Sequence, residues 1–264
     1  MGEAIVITSG KGGVGKTTTS ANIGTALALS GKKVCLVDTD IGLRNLDVVM
    51  GLENRIIFDI VDVVTGQCRL EQGLIKDKRF EHLYMLPASQ TKDKSALTPE
   101  AVRDVVDQLK QNFDYVVLDC PAGIEQGFKI AIAGADKAIV VTNPEAAAVR
   151  DADRVIGLLE AAKIDQPKLV VNRIRQHMVN DGSMLDLDEI VAILAIDLLG
   201  IVPDDEGVIA GSNKGEPVVM NPNAKAGMAY RNIARRIMGD SVPLMHLHDQ
   251  SGFFGKMKRM IGLK

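Results

Sequence analysis

The glycine-rich stretch GKGGVGKT at residues 10–17 is the feature that most constrains how this chain can fold. It follows the apolar run AIVIT, which predicts a buried strand, and it leads into residues 16–30, whose pattern predicts a helix that ends at Gly31. The spacing matches G-x-x-x-x-G-K-[ST], in which the glycines leave backbone N–H groups free to bind phosphate oxygens. A strand, such a loop and a helix N-terminus together predict an anion site within an α/β fold.

The same glycines also fit a dinucleotide-binding loop. Gly10, Gly12 and Gly15 match G-x-G-x-x-G, and Asp38 ends the next predicted strand, where an acid would bind a ribose. Lys16 and the two threonines after it favour a nucleoside triphosphate, because the terminal phosphates and Mg²⁺ need a cation and a hydroxyl. The residues predicted to bind the nucleotide are Gly10, Lys11, Gly12, Gly13, Val14, Gly15, Lys16, Thr17 and Thr18.

Short apolar runs alternate with longer amphipathic stretches, which predicts a doubly wound, mainly parallel sheet flanked by helices. The runs are rich in β-branched residues and almost continuously apolar, as strands buried on both faces should be. They are AIVIT, KVCLVD, LYMLPA, YVVLDCPA, AIVVTN, KLVVN and LLGIVP. Predicted helices cover 16–30, 99–112, 145–162 and 222–238, with Thr98 as the N-cap of the second, and residues 174–186 are predicted to form a surface loop.

Acidic residues stand at the ends of two predicted strands, where a Mg²⁺ site would need them. Asp119 ends YVVLD, the expected position of a carboxylate that orients Mg²⁺, while Asp38 and Asp40 follow the neighbouring strand. One of these two could help to hold the metal-bound waters, and the other could orient the attacking water. A turn or a helix cap is the alternative role for any single aspartate. Their convergence beside the loop favours a metal site, for which Thr17, Asp38 and Asp119 are the predicted ligands.

Composition excludes several classes of protein. The chain has 264 residues, is 46% hydrophobic and carries a net charge of −3, which is typical of a globular protein and argues against a nucleic-acid partner. The three cysteines, Cys35, Cys68 and Cys120, show no disulfide or zinc spacing and fit a reducing cytoplasm. The sequence predicts no signal peptide, and no apolar run reaches the roughly 18 residues of a membrane span. We therefore expect a cytoplasmic protein.

The C-terminal stretch GFFGKMKRMIGLK predicts a short amphipathic helix with a basic face. At helical spacing its apolar side chains form one stripe opposite the cations, which is typical of a helix that lies in the surface of an anionic membrane. A C-terminal helix packed on the core is the alternative. Residues 1–240 are thus predicted to form the nucleotide-binding domain, 241–251 a flexible tether and 252–264 the membrane helix. The stripe comprises Phe253, Phe254, Met257, Met260 and Ile261, and the cations are Lys256, Lys258 and Arg259.

Lys11 gives the loop a second lysine at a position that the ordinary pattern leaves free. In this form, KGGVGKT, the loop resembles the deviant Walker A motif of the ParA/MinD family of dimeric P-loop ATPases. DTDIGLRNLD, LDCPAG, NPE, VVNR and GIVPDD resemble further motifs of that family. The resemblance implies that Lys11 reaches the phosphates of a partner subunit, that Asp40 activates water and that Asn172 recognises adenine beside Pro203 and Asp204. The implied catalytic residues are Lys11, Lys16 and Asp40; a solvated surface lysine is the alternative for Lys11.

The resemblance is strongest to members of the family that place the cell-division septum, in segments such as DIGLRNLDVVMGLENR and NKGEPV. It implies ATP and Mg²⁺ as ligands, an ATP-bound homodimer and reversible attachment to the cytoplasmic face of the membrane. The implied partners are a division inhibitor of the MinC type and a topological regulator, either a MinE-type peptide or a curvature-sensing scaffold. A regulator of flagellar number and a DNA-partition ATPase of the ParA type are the alternative functions. The implied partner surface comprises Arg44, Asn45, Arg150, Asp151 and Arg154, for whose helix a salt-bridged solvent face is the alternative.

Overall fold

A computed structural model describes residues 1–92 and 96–245 of the chain. The predicted membrane helix at 252–264 and residues 246–251 of the predicted tether lie outside the described residues. The strands are β1 (Glu3–Thr8), β2 (Val34–Asp38), β3 (Ile75–Lys76), β4 (Leu83–Leu86), β5 (Tyr115–Asp119), β6 (Lys137–Thr142), β7 (Lys168–Ile174) and β8 (Leu198–Pro203).

These strands form one sheet in the order β3-β4-β2-β5-β1-β6-β7-β8. The short edge strand β3 runs antiparallel to β4, and the other neighbouring strands pair in parallel. The predicted doubly wound, mainly parallel α/β fold is therefore confirmed. The chain begins in the middle of the sheet and builds outward on both sides of β1, which creates a crevice at the carboxyl end of that strand.

Helices cover both faces of the sheet and divide the core in two. Successive residues of β1 point to opposite faces, so Ala4 and Val6 join one apolar cluster while Ile5 and Ile7 join the other. The helices are α1 (Lys16–Leu29), α2 (Leu46–Met50), α3 (Ile60–Val64), α4 (Leu70–Gly73), α5 (Pro99–Lys110), α6 (Gln126–Ile132), α7 (Ala146–Ala161), α8 (Gln176–Asn180), α9 (Leu187–Leu194), α10 (Glu206–Ser212) and α11 (Lys225–Ile237), with 3₁₀ turns at Glu53–Arg55 and Val218–Met220. The first cluster lies under α5, α7 and α9, and the second under α1, α2 and α11.

The helix ends follow the capping signals of the sequence. Gly31 has a φ of +80° directly after the C-cap of α1, a conformation that glycine adopts without strain. The Thr98 hydroxyl accepts a hydrogen bond from the Ala101 N–H, and Pro99 opens α5, as predicted. The predicted surface loop at 174–186 is wrong in part, because α8 occupies 176–180. None of the residues of α8 is buried, so no apolar periodicity marked it in the sequence.

Candidate functional site

The sheet brings the predicted site residues together at one edge. The glycine-rich loop leaves the carboxyl end of β1, between the ends of β5 and β6. Asp38 and Asp119 end the adjacent strands β2 and β5 and lie directly opposite each other in the strand register. The loop, both carboxylates and the N-terminus of α1 therefore share the crevice where parallel α/β sheets bind their ligands.

Glycine is required at two points of the loop for different reasons. Gly15 has a φ of +100°, and a Cβ atom there would also collide with the side-chain amide of Asn172. Gly10 lies against α7, where a Cβ atom would collide with the backbone carbonyl of Asp151. The Asn172 amide donates a hydrogen bond to the Val14 carbonyl at 2.8 Å. The loop is thus held from both sides, with its N–H groups left for a ligand.

The two lysines of the loop point in different directions. Lys16 is buried, and its Nζ donates to the Ser9 hydroxyl at 2.9 Å. Burial lowers the pKa of Lys16, although the nearby Asp119 opposes this shift. The Ser9 hydroxyl in turn donates to the Lys11 carbonyl at 2.8 Å, so one buried serine connects the two lysine positions.

Lys11 leaves the cradle and pairs with Glu145, the N-cap residue of α7. The Lys11 Nζ lies 3.0 Å from the Glu145 Oε2, and the two side chains are 42% and 52% exposed. An ion pair this exposed contributes little to stability, about 0–1 kcal/mol. Lys11 can therefore exchange Glu145 for another anion at small cost.

The buried carboxylates form a pair that favours a cation. Asp119 accepts a hydrogen bond from the Ser20 hydroxyl at 2.7 Å, yet its burial raises its pKa to about 6. Burial, followed by repulsion from Asp119, raises the pKa of Asp38, whose oxygens accept from the N–H groups of Asp40 and Leu46. A Mg²⁺ ion among these oxygens would stabilise the ionised pair.

The donor set around this pair fits a magnesium ion that is bound largely through phosphate and water. Among residues 1–92 and 96–245, no group of three or more His, Cys, Asp or Glu side chains could hold a metal ion by itself. The predicted set offers the Thr17 hydroxyl and the carboxylates of Asp38 and Asp119. Mg²⁺ commonly uses one or two carboxylates together with substrate phosphates.

Asp40 stands beyond the buried pair, between the two loops that follow β2 and β5. It lines a cavity of about 280 Å³ together with Pro121, Gln126 and Phe128. Its charge raises the pKa of both Asp38 and Asp119. Asp40 is therefore close enough to the buried pair to act on the same ligand.

A second cavity of about 220 Å³ lies on the other side of the loop and contains all three predicted base-contacting residues. Asn172, Pro203 and Asp204 line it, opposite Gly15 and Thr18. Both ends of the Asn172 amide are already engaged, one by Val14 and the other by the N–H of Arg173 at 2.9 Å. The cavity can hold a flat base against these residues.

The sequence did not identify several residues of this region. Tyr230 of α11 lines the base cavity, lies within 3.3 Å of the Thr19 hydroxyl and has its pKa raised to about 12 by burial. The Arg175 guanidinium pairs with Asp204 at 2.6 Å. Tyr230 looks like a core residue of an amphipathic helix, so only the tertiary structure reveals its place. The roles of Ser9, Ser20 and Glu145 were not predicted either, because their partners are a backbone carbonyl or residues far away in sequence.

Some residues of the predicted partner surface are exposed, whereas others are partly buried or bound in an ion pair. Arg150 and Arg154 are exposed on α7, and Asn45 is exposed before α2. Arg44, in contrast, has a φ of +42°, and its Nε lies 2.9 Å from the fully buried Asp47. Burial raises the pKa of Asp47, which Arg44 counteracts. Asp151 is partly buried against the loop.

The predicted membrane residues, Phe253 to Ile261, lie outside the described residues. Within the described part of the chain, no helix combines the length and the apolar character that a membrane span requires.

Comparison with known proteins identifies close relatives across the whole chain. A family model described as an AAA domain matches residues 2–170. The septum site-determining protein MinD of Bacillus subtilis is 66% identical over 267 residues, covering 100% of this chain and 100% of that protein. The septum site-determining protein MinD of Escherichia coli K12 is 47% identical and covers 99% of this chain and 100% of that protein.

Solved structures of the same kind superpose closely on this fold. The MinD cell division protein of Aquifex aeolicus has a TM-score of 0.86 and 49% identity, over 92% of this chain and 100% of that one. A MinC:MinD complex from the same organism matches at 0.86 and 51% identity, over 92% and 98% of the two chains. A septum site-determining MinD complexed with Mg-ADP from Pyrococcus horikoshii matches at 0.83 and 29% identity, over 92% and 100%.

Proposed function

The chain belongs to the MinD family of septum site-determining proteins, and from that membership we propose that it is an ATPase that works as an ATP-bound dimer on the membrane. It hydrolyses ATP to ADP and phosphate and recruits a division inhibitor that restricts where the septum forms. The observation that carries this proposal is the contrast between Lys16, buried under the phosphate loop, and Lys11, held outside it by an exposed ion pair.

We propose one orientation for the bound nucleotide. The N–H groups of residues 10–18 and the Lys16 ammonium bind the phosphates, and the base enters the cavity lined by Asn172, Pro203 and Asp204. Thr17, Asp38 and Asp119 hold Mg²⁺, which neutralises charge on the phosphate oxygens when it is bound. The relative from Pyrococcus horikoshii was solved with Mg-ADP, which supports this assignment.

Hydrolysis needs one water oriented for attack and one cation in reach of the transferred phosphoryl group. Asp40, at the mouth between the two loops, orients the water, and Lys16 binds the phosphates from below. Lys11 leaves Glu145 and binds the phosphates of the partner subunit, as an arginine finger supplied in trans does in other P-loop enzymes. Dimerisation is then a condition for hydrolysis.

The dimer also controls attachment to the membrane. Residues 1–240 form the ATPase domain, and the tether at 241–251 carries the amphipathic helix at 252–264. One short amphipathic helix binds a membrane weakly, whereas two on one particle bind more tightly through their effective concentration. The ATP-bound dimer therefore stays on the cytoplasmic face of the membrane, and the monomers that follow hydrolysis return to the cytoplasm.

Partners bind beside the nucleotide. Arg150, Asp151 and Arg154 of α7, with Arg44 and Asn45 of the segment after β2, form the surface for a division inhibitor of the MinC type. The MinC:MinD complex of the Aquifex relative supports this partner. A topological regulator, a MinE-type peptide or a curvature-sensing scaffold, binds an overlapping surface. The net charge of −3 gives no support for a nucleic-acid partner.

Sedimentation with anionic liposomes tests the proposal. The wild-type protein should sediment with ATP and remain in solution with ADP, while deletion of residues 252–264 should abolish sedimentation in both. Lys11→Ala should retain ATP binding but lose both hydrolysis and ATP-dependent sedimentation, whereas Lys78→Ala, at an exposed lysine after β3, should behave as wild type. Equal sedimentation with ATP and ADP would contradict the proposal that ATP controls attachment to the membrane.

A further inference from the structure

The segment that follows α11 is fastened to the body of the domain by Arg236. Its Nε donates to the Val242 carbonyl at 2.9 Å, and its Nη2 donates to the Pro243 carbonyl at 2.6 Å. Its remaining nitrogen, Nη1, donates to the Leu199 carbonyl of β8 at 2.8 Å. One guanidinium therefore connects the last helix, the edge strand of the sheet and the chain that leads to the C-terminus.

The surrounding structure is shaped to place this guanidinium. Gly200 of β8 leaves the space into which α11 packs: a Cβ atom there would collide with Ile233 and lie 3.4 Å from the Arg236 Nη1. Met245, beyond the fastened carbonyls, packs against the apolar cluster under α11. The Leu199 carbonyl, which accepts from Arg236, belongs to β8, an edge strand that pairs with β7 on one side and has no neighbouring strand of the described sheet on the other.

The turn between α11 and this segment is also defined. Gly239 has a φ of +94°, and the N–H of Asp240 donates to the Arg235 carbonyl at 2.9 Å. Among the described residues, the Arg235 side chain pairs with the carboxylate of Asp240, at 2.9 Å, and both side chains are about half exposed. The two neighbouring arginines thus differ: Arg235 holds the turn locally, and Arg236 joins the segment to the sheet.

We propose that Arg236 is a positioning residue that fixes where the membrane-binding tail leaves the domain. Residues 239–245 then belong to the folded domain, and the tether begins after residue 245 instead of at 241. The planar fork of arginine suits this role, because it can donate to several carbonyls at fixed angles, whereas lysine is a single flexible point donor. The inference rests on the proposed membrane attachment through residues 252–264.

The point at which the tail leaves the domain sets the length of the tether, and so the volume that each tail of a dimer can reach. Releasing residues 239–245 would lengthen the tether from about six to about thirteen residues, and effective concentration falls roughly as the −3/2 power of linker length. The second tail would then meet the membrane at about one third of its former effective concentration. The apparent liposome affinity of the ATP-bound dimer should weaken by about threefold.

We call the contacts of the Arg236 guanidinium with the carbonyls of Leu199, Val242 and Pro243 the clamp. Three variants distinguish the effect of these contacts from the effect of the positive charge. Arg236→Gln removes the cation and the fork, Arg236→Lys keeps the cation, and Arg235→Gln removes a neighbouring cation that does not reach the sheet. Hydrogen exchange of the amides of residues 239–245 reports whether the segment stays folded, because the N–H groups of Gly239 and Asp240 donate to carbonyls of α11. Sedimentation with anionic liposomes in ATP reports attachment. Both Arg236 variants should exchange faster and bind about threefold more weakly, with Arg235→Gln unchanged in both assays. If Arg236→Gln fails to fold, Arg236→Lys carries the same test.

Each other outcome is decisive. Unchanged exchange at 239–245 in both Arg236 variants would show that the Arg236 contacts do not hold the segment. Faster exchange with unchanged liposome affinity would show that the exit point does not matter for attachment. If deletion of residues 252–264 left liposome binding at the wild-type level, the proposed membrane function would be overturned. The hydrogen-exchange data would still test whether Arg236 holds the segment.

Discussion

At the scale of single residues, Lys11 and Lys16 share one serine and do different things. The Ser9 hydroxyl accepts a hydrogen bond from the Lys16 ammonium and donates to the Lys11 carbonyl. Lys16 is therefore held under the loop, whereas Lys11 can change partners outside it. The buried carboxylates of Asp38 and Asp119 lie nearby, and a positive charge from Lys16 or from a bound Mg²⁺ would stabilise their ionised forms.

The raised pKa of Asp119 predicts an unusual pH dependence for the nucleotide-free protein. Its folded-state pKa of about 6 exceeds the ordinary aspartate value of 3.8, so the folded state binds the extra proton between these values. Stability should therefore fall as pH rises from about 4 to about 6, by roughly 1–3 kcal/mol from this group. Thermal unfolding without nucleotide measures it, and Asp119→Asn should flatten the dependence and raise the melting temperature at pH 7.

Asp107→Asn, at an exposed aspartate of α5, is the matched control and should leave the pH dependence intact. An Asp119→Asn variant as pH-dependent as the wild type would place the titrating groups elsewhere. Added Mg²⁺ and ATP should suppress the effect in the wild type, because a bound cation favours the ionised carboxylates.

At the scale of elements, the phosphate loop lies directly against α7. Gly10 lies against the backbone of Asp151, and Lys11 pairs with the N-cap residue of the same helix. The helix proposed to bind the division inhibitor is thus in direct contact with the loop that binds nucleotide. A shift of the loop on ATP binding would act on α7 through these two contacts.

Two glycine substitutions measure how tight this contact is. Gly10→Ala should destabilise the protein by about 1–3 kcal/mol, because its methyl group would overlap the Asp151 carbonyl. Gly157→Ala, inside α7 with open space around it, should stabilise by about 0.5–1 kcal/mol. Chemical denaturation gives both values. A Gly10→Ala variant of wild-type stability would mean that loop and helix separate easily and cannot transmit a shift.

The elements that the sequence predicts are those with a strong period or a known loop. The buried strands appear as continuous apolar runs, and α5 begins at an N-cap and a proline that the sequence displays. Short helices such as α3 and α8 have too few residues to show a period. The start of α9 did carry a signal, since Asp186 and Glu189 form a capping box that the pattern D-x-x-E could have revealed.

The site divides in the same way. The loop and Asp119 were predictable, because each follows an apolar strand that ends at the same edge of a parallel sheet. Ser9, Glu145 and Arg236 could not be predicted, because their partners are far away in sequence or belong to the backbone. What these residues do depends on the packing of elements, which residue spacing does not encode.

At the scale of the whole molecule, the proposed function requires that ATP joins two chains through Lys11. The fold places the phosphate loop, the carboxylates and Lys11 on one face, at the carboxyl edge of the sheet. The proposed dimer through that face would bury both nucleotides and leave each site incomplete without its partner. The proposed attachment of the tails and binding of a division inhibitor to α7 would then depend on the same event.

Mixing two inactive variants tests this claim most directly. Lys11→Ala lacks the lysine that is proposed to act in trans, and Asp40→Asn lacks the carboxylate that is proposed to act within its own subunit. In a mixed dimer, the site of the Lys11→Ala subunit keeps its own Asp40 and receives Lys11 from the partner. An equal mixture should therefore recover ATP hydrolysis, up to about one quarter of the wild-type rate. That value corresponds to random pairing, in which half of the dimers are mixed and each mixed dimer has one complete site. Mixed dimers that form in ATP, as detected by sedimentation velocity with one variant labelled, but hydrolyse no ATP would contradict the account.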